Sequence, residues 1–142
     1  RHQLKMVGYY QVTPEWMIGG NVQILSGTPK TCLSYFGLDQ TDPFGYGVAY
    51  HFCGPDGTPA PYGSTGRTPW QEIVSLNGEY RPEWAGKKLA FDVMVYNIFD
   101  KQVVTQYRQG SVSGPGTPSV NWQTPLSYTT PRYVRFSVSY DF

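Results

Sequence analysis

Residues Pro131 to Phe142, PRYVRFSVSYDF, alternate so strictly that few folds can accommodate them. Strand side chains point to opposite faces with period two. Val134, Phe136, Val138, Tyr140 and Phe142 therefore share one face, and Arg135, Ser137, Ser139 and Asp141 share the other. One face is oily and the other is wet. A strand of a soluble sandwich can alternate in this way, but it rarely lies at a chain end and finishes on an aromatic residue.

The same period recurs four more times. The alternation predicts strands over about His2 to Val12, Trp16 to Ser26, Gln71 to Arg81 and Lys87 to Ile98. In the first, Leu4, Met6, Gly8, Tyr10 and Val12 oppose Gln3, Lys5, Val7, Tyr9 and Gln11; in the second, Trp16, Ile18, Gly20, Val22 and Ile24 oppose Met17, Gly19, Asn21, Gln23 and Leu25. The third sets Val74, Leu76, Gly78 and Tyr80 against Ser75, Asn77, Glu79 and Arg81. The fourth sets Leu89, Phe91, Val93 and Val95 against Ala90, Asp92, Met94 and Tyr96. Proline, glycine and β-branched residues recur too often for a long helix.

The connections alternate too. Thr13 to Glu15 and Pro82 to Gly86 are short, whereas Gly27 to Trp70 and Phe99 to Thr130 are long. In an up-and-down meander this puts tight turns at one end and large loops at the other, the asymmetry of outer-membrane barrels. The predicted fold class is all-β, an antiparallel meander of about five long strands forming the C-terminal part of a large transmembrane β-barrel. Trp84, Tyr140 and Phe142 cluster at the short-turn end and Tyr133 near the other, as interfacial aromatic girdles require.

Composition fits this reading. Tyr has 12 copies, Gly 16, and charged residues make up only 15% of the 142. No apolar run approaches the roughly 20 residues of a spanning helix, which does not bear on a barrel, whose strands need about 9 to 11. A net charge of +1 with dispersed Lys and Arg gives no basic patch for nucleic acid. The chain starts at Arg1 without a signal peptide, so we expect 1–142 to be a C-terminal fragment of a longer protein.

Two motifs add a family resemblance. Val95-Tyr96-Asn97-Ile98-Phe99-Asp100-Lys101 resembles the V-x-N-L-F-D segment near the end of TonB-dependent outer-membrane receptors, with Ile98 in place of the usual Leu. The motif residues are Asn97, Ile98, Phe99 and Asp100. Ser64-Thr65-Gly66-Arg67-Thr68-Pro69-Trp70 is similar to the G-x-R-T-P-W stretch of the Oar-like subgroup, whose members carry a carboxypeptidase-regulatory-like domain. The resemblance implies the last five strands of a 22-stranded barrel in a Gram-negative outer membrane, with the C-terminus on the periplasmic side. It implies that Val134, Phe136, Val138, Tyr140 and Phe142 act as the signal read by the barrel-assembly machinery. It also implies transport of an unknown substrate, coupled to TonB through an N-terminal plug that lies outside this sequence. The alternatives are a porin or adhesin without energy coupling, and a soluble carbohydrate-binding β-sandwich.

Chemistry is sparse. Cys32 and Cys53, the only cysteines, lie in what would be an extracellular loop, so a disulfide is expected there, two free thiols being the alternative. His51 with the two cysteines makes a weak metal set, and Asp39, Asp42 and Asp56 lack the calcium-loop spacing. No nucleophile elbow, phosphate loop or dinucleotide fingerprint occurs, and His2 and His51 make no triad, so neither an enzyme nor a cofactor is expected. Glu79, Asp92 and Arg135 fall on wet faces, either as a functional lumen lining or, the favoured reading, as side chains simply solvated in a hydrated interior. Tyr9, Tyr35, Phe36, Phe44, Tyr46, Tyr50, Phe52 and Tyr62 would either stack on a ligand or pack around the cysteines.

Overall fold

The computed structural model describes residues 2–34, 51–114 and 116–142. Among them the strands are, in chain order, β1 (Gln3–Gln11), β2 (Trp16–Leu25), the short β3 (Phe52–Cys53) and β4 (Thr58–Pro59), and β5 (Gln71–Tyr80). They continue with β6 (Leu89–Tyr96), the short β7 (Val104–Tyr107), β8 (Val112–Gly114), β9 (Thr117–Pro118) and β10 (Pro125–Tyr128), and finally β11 (Tyr133–Tyr140). The chain divides into two compact units. The first takes residues 1–26, 70–102 and 129–142, and the second takes 27–69 and 103–128.

The first unit is one antiparallel sheet in the order β1-β2-β5-β6-β11. Each long strand pairs with the long strand before it, so this is the predicted meander. The strands are 8 to 10 residues long, one or two residues shorter at their ends than the alternation suggested. Pairing ceases where turn hydrogen bonds take over. At the first turn the Val12 and Thr13 amides both donate to the Trp16 carbonyl, while the Thr13 hydroxyl oxygen accepts from the Glu15 and Trp16 amides.

The second short connection holds a single 3₁₀ turn, Glu83–Ala85, opened by Pro82 and closed by Gly86 at φ 61°. A left-handed residue ends such a turn at little steric cost only when it lacks a Cβ. Glu15 ties the two turns together. Its carbonyl accepts from the Arg81 amide and its carboxylate from the Glu83 amide, at 2.8 and 2.7 Å.

The second unit differs from expectation. The long connections read as structureless loops, yet here they form three two-stranded pieces: β3 with β4, β7 with β10, and β8 with β9. The β3–β4 hairpin turns through Gly54 and Gly57, both at positive φ, and β8–β9 through Gly116 at φ 58°. Strands of two to four residues carry too little period-two signal for alternation to reveal them.

At Gly19 a β-carbon would require neighbouring side chains to move. A Cβ there would lie 2.5 Å from the Tyr9 ring and 2.6 Å from the Asn77 side chain, whereas one at Gly78 would meet nothing within 4 Å. Gly19→Ala is accordingly expected to lower stability by about 1–3 kcal/mol through overpacking. Gly78→Ala should be neutral or raise it by roughly 0.4–1 kcal/mol by restricting the unfolded chain. Urea unfolding of the two variants side by side checks the contrast; equal effects would contradict it.

Candidate functional site

The register sorts the sheet's side chains into two chemically opposite faces. Across one rung stand Trp16, Tyr80, Phe91 and Val138; across the next, Tyr10, Ile18, Gly78, Val93 and Phe136; across a third, Gly8, Gly20, Leu76, Val95 and Val134. Met6, Val22 and Val74 continue the same face. Val134, Phe136, Val138, Leu89, Phe91, Val93, Leu76 and Val74 thus form one continuous band. The band is uncovered: Phe136 is 75% exposed, Val138 65%, Met6 59% and Ile18 50%.

Aromatic rings gather at the short-turn end of this face. Trp16 stacks on Tyr80 at 4.6 Å, and Tyr80 on Phe91 at 6.3 Å, so three neighbouring strands each contribute one ring. Tyr140 meets Phe142 edge-on at 5.3 Å, and Trp84 stands exposed in the adjoining turn. Tyr133 corrects the sequence reading. It stacks on its register partner Tyr96 at 5.1 Å, but on the polar face, because it is one residue out of phase with Val134.

The polar face runs Gln11, Met17, Glu79, Asp92, Ser137 and, one rung on, Tyr9, Gly19, Asn77, Met94, Arg135. Tyr9 lies on this face of β1, where the alternation placed it. Tyr9, Asn77, Asp92 and Arg135 help line a hollow of about 410 Å³ on this side. Glu79 is paired with the Arg81 guanidinium.

The Asn97-Ile98-Phe99-Asp100 segment is a clamp between the end of β6 and the start of β11. Asn97 is fully buried, with its backbone at φ 51°, a conformation Asn tolerates better than most residues. Its side-chain amide donates to the carbonyls of Thr130 (2.9 Å) and Lys101 (3.2 Å), and its oxygen accepts from the Lys101 amide (3.2 Å). The Ile98 amide donates to the Val74 carbonyl, and the Asp100 amide to that of Asn97. Asp100 in turn accepts from the Arg132 amide at 2.8 Å, which holds its carboxyl below the ordinary carboxylate range. Phe99 is largely exposed.

A pair that sequence reading missed lies beside the clamp. Lys101 Nζ meets Glu72 Oε2 at 2.5 Å, neutralising the carboxylate that falls in phase with the apolar band at its far end. At about half exposure such a pair contributes at most about 1 kcal/mol. Glu72 is in β5 and Lys101 in the connection after β6, 29 positions apart, so no local pattern reveals the pair.

In the second unit Cys32 and Cys53 form the expected disulfide, with Cα atoms 5.2 Å apart, closing a span of 21 residues. Such a loop stabilises by roughly 3 kcal/mol in the chain-entropy picture. The bond also removes both thiolates from the imagined metal set with His51. Buried hydroxyls stitch the rest. Ser34 donates to the Gly54 carbonyl, Ser111 to the Leu33 carbonyl, and the Gly54 amide to Ser111.

The Gly66-Arg67-Thr68 part of the second motif lies along Gly27–Lys30. The Lys30 amide donates to the Gly66 carbonyl, Thr68 and Thr28 exchange backbone and side-chain bonds, and Arg67 Nε donates to the Gly27 carbonyl. A Cβ at Gly27 would sit 1.6 Å from the Thr68 oxygen, so the close approach needs glycine there.

Among the remaining candidates, Asp56 accepts from the Thr58 hydroxyl within its turn, and His51 packs edge-on to Tyr62. Phe52 is half-buried beside Cys53 in β3. Asp39, Asp42, Tyr35, Phe36, Phe44, Tyr46 and Tyr50 lie outside the described residues. No protein-family profile, curated protein or solved structure matches this chain.

Two predictions follow from the clamp. Asn97→Ala removes three hydrogen bonds worth about 0.5–1.5 kcal/mol each and leaves a β-carbon residue in a left-handed conformation, so a loss of roughly 3 kcal/mol is expected. Asn97→Gly should recover only the backbone part; urea midpoints of both variants read this, and full recovery by glycine would remove the clamp from the account.

The second prediction concerns pH. Because the folded Asp100 carboxyl titrates below its ordinary value of 3.8, its contribution is complete above that value and disappears as pH falls through the lower, folded one. The Arg132 amide resonance should therefore shift only below about pH 4, and Asp100→Asn should abolish that acid step.

Proposed function

We propose that this chain is the closing segment of a TonB-dependent, Oar-like receptor barrel in a bacterial outer membrane. The observation that carries the proposal is the uncovered apolar band spanning all five strands of the sheet, with stacked aromatics at its short-turn end. Apolar surface this continuous, facing no second sheet among the described residues, needs a non-aqueous neighbour. That favours lipid over a soluble sandwich, in which the same residues would lie between two packed sheets.

The dimensions are compatible. Strands of 8 to 10 residues rising about 3.3 Å each cover the roughly 25 Å apolar belt of an outer-membrane barrel. In this reading Phe136, Val93, Leu76 and their neighbours contact acyl chains, while Trp16, Tyr80, Tyr140 and Phe142 occupy the headgroup level. Asn77, Asp92, Arg135 and Ser137 face a hydrated lumen. The aromatic short-turn end is periplasmic, and the long connections are extracellular.

β1 and β11 each pair on one side only among the described residues. In lipid, every unpaired backbone group costs several kcal/mol. Further strands of the same barrel are therefore required to cover both edges. β11, with its aromatic end, is the strand offered to the barrel-assembly machinery and then to the first strand of the cylinder. Energy coupling through TonB, and the substrate carried, rest on the V-Y-N-I-F-D and G-R-T-P-W resemblance.

The two faces of β11 provide the test. In the full-length protein expressed in a Gram-negative host, Phe136→Arg puts a cation into lipid near mid-depth and should cost about 2–4 kcal/mol, seen as lost heat-modifiable barrel in the outer-membrane fraction. Ser137→Arg, one residue on, should assemble normally. Equal tolerance of both, or recovery of the wild type from the soluble fraction, would refute the membrane reading.

A further inference from the structure

Beside the Cys32–Cys53 bond, one hydroxyl joins the two long connections that make up the second unit. Ser111, in the second connection, donates its hydroxyl hydrogen to the Leu33 carbonyl at 3.0 Å and accepts the Gly54 amide on the same oxygen, also at 3.0 Å. Leu33 follows Cys32 in the chain, and Gly54 follows Cys53. A single side chain of one connection thus bridges the two residues that flank the disulfide of the other.

Backbone bonds extend the junction on both sides. The Leu33 amide donates to the Gln109 carbonyl and the Ser111 amide to the Leu33 carbonyl, both at 2.9 Å, so Leu33 and Gly110 form a parallel bridge. The Ser111 carbonyl accepts from the Ser119 amide at 2.8 Å, which closes the β8–β9 hairpin. Ser34 donates to the Gly54 carbonyl at 2.8 Å, a further tie across the cysteine pair.

This junction is conditional on the disulfide. A hydroxyl has one hydrogen to give and lone pairs to receive. Both uses here require Leu33 and Gly54 within reach of one oxygen, and the disulfide keeps them there by holding the Cys32 and Cys53 Cα atoms 5.2 Å apart. Without it, residues 32 and 53 are the ends of an open span of 21 residues, and loop-closure entropy opposes their approach. Cys32, Ser34 and Ser111 are buried, so hydroxyls that lost their partners would stay unsatisfied until the segment opened to water.

Other parts of the unit are tied by bonds that do not run through this junction. The Thr68 amide donates to the Thr28 carbonyl within the first connection, and the Arg108 amide to the Thr124 carbonyl within the second, both at 2.9 Å.

We propose that the Cys32–Cys53 bond is a redox-operated latch on the second long connection. Closed, it holds the Ser111 bridge and with it the β8–β9 hairpin. Reduced, it releases both, while the Thr28–Thr68 and Arg108–Thr124 contacts persist. The reductant is a dithiol: one of its thiolates attacks a cysteine sulfur, the S–S bond breaks, and the other cysteine leaves as a thiolate that takes a proton. The second thiolate of the reductant then resolves the mixed disulfide and frees the first cysteine. Two electrons and two protons pass to Cys32 and Cys53, and the dithiol ends as a disulfide. The latch lies within the second unit, so it stands or falls separately from the membrane reading.

The test is hydrogen–deuterium exchange of the purified full-length protein, oxidised and after treatment with a dithiol. Exchange at the Gly54, Ser111 and Ser119 amides should rise about tenfold or more on reduction, with the Thr68 and Arg108 amides changing less than about twofold. The double variant Cys32→Ala, Cys53→Ala reproduces the open latch without reductant and should show the same pattern. A rise confined to residues between the cysteines, with Ser111 and Ser119 unchanged, would overturn the proposal. So would an equal rise at Thr68 and Arg108, because the bond would then only stabilise the unit as a whole.

Ser111→Ala removes the bridging hydroxyl and leaves the disulfide in place. It should raise Gly54 exchange about fivefold or more in the oxidised protein and less than about twofold in the Cys-free variant, where the bridge is already open. Equal effects in the two backgrounds would uncouple Ser111 from the disulfide and remove the latch.

Discussion

The antiparallel register is the constraint on which the rest of the sheet depends. With side chains alternating at period two, a slip of one residue between any two strands would send one strand's whole apolar set to the polar face. The observed pairing keeps Trp16, Tyr80, Phe91 and Val138 in phase on one rung and Gln11, Met17, Glu79, Asp92 and Ser137 in phase on another. What this arrangement leaves behind is little buried apolar matter. Among the described residues the buried apolar side chains are Cys32, Ala60, Ile73 and Ala90, all small except Ile73. Within the sheet, then, cohesion comes from ladder hydrogen bonds and cross-strand contacts. The larger hydrophobic contribution depends on whatever replaces water against Phe136, Val138, Met6 and Ile18.

Such a sheet needs its register pinned from the ends, since no apolar core selects it. At the short-turn end Glu15 does this with both its carbonyl and its carboxylate, binding the turn after β1 to the turn after β5. At the other end Asn97 ties the exit of β6 to Thr130, just ahead of β11, and Asp100 holds the Arg132 amide one residue before that strand begins. These bonds connect residues more than thirty positions apart. They fix which residue of β11 lies opposite which residue of β6, and so they decide that Val134 meets Val95 while Tyr133 meets Tyr96.

The long strands, their order and their faces were legible because each is governed by local alternation and by the length of the connection that follows. Leu89, Phe91, Val93 and Val95 announce a face by themselves. The Cys32–Cys53 pair was legible for a different reason, that two cysteines in one segment have only each other. What stayed hidden depends on partners far away in the chain. Nothing around Asn97 says that it will be buried and left-handed until Lys101 and Thr130 surround it, although Asn in a β-breaking N-I-F-D segment is the kind of residue that adopts positive φ. The Glu72–Lys101 pair and the hairpins at Phe52–Pro59 and Val112–Pro118 were invisible on the same ground: strands of two or three residues have no period, and an ion pair between a strand and a distant connection has no spacing rule.

The two units solve the problem of cohesion in ways suited to different surroundings. Among the described residues the sheet exposes its apolar face and leaves one side of β1 and of β11 unpaired, which in the proposed lipid setting further strands would cover. Among the described residues of the second unit, the buried apolar side chains are Cys32 and Ala60. The unit closes itself with a covalent bond at Cys32–Cys53, with buried hydroxyls at Ser34, Thr68 and Ser111, and with a glycine at 27 that lets two backbones touch. Those devices hold in water, where an apolar core of this size would be marginal. The disulfide also requires an oxidising compartment to form. In the proposed reading the apolar face of the sheet meets lipid and the disulfide-closed second unit meets an aqueous, oxidising compartment, so a protein set across that boundary would satisfy both at once.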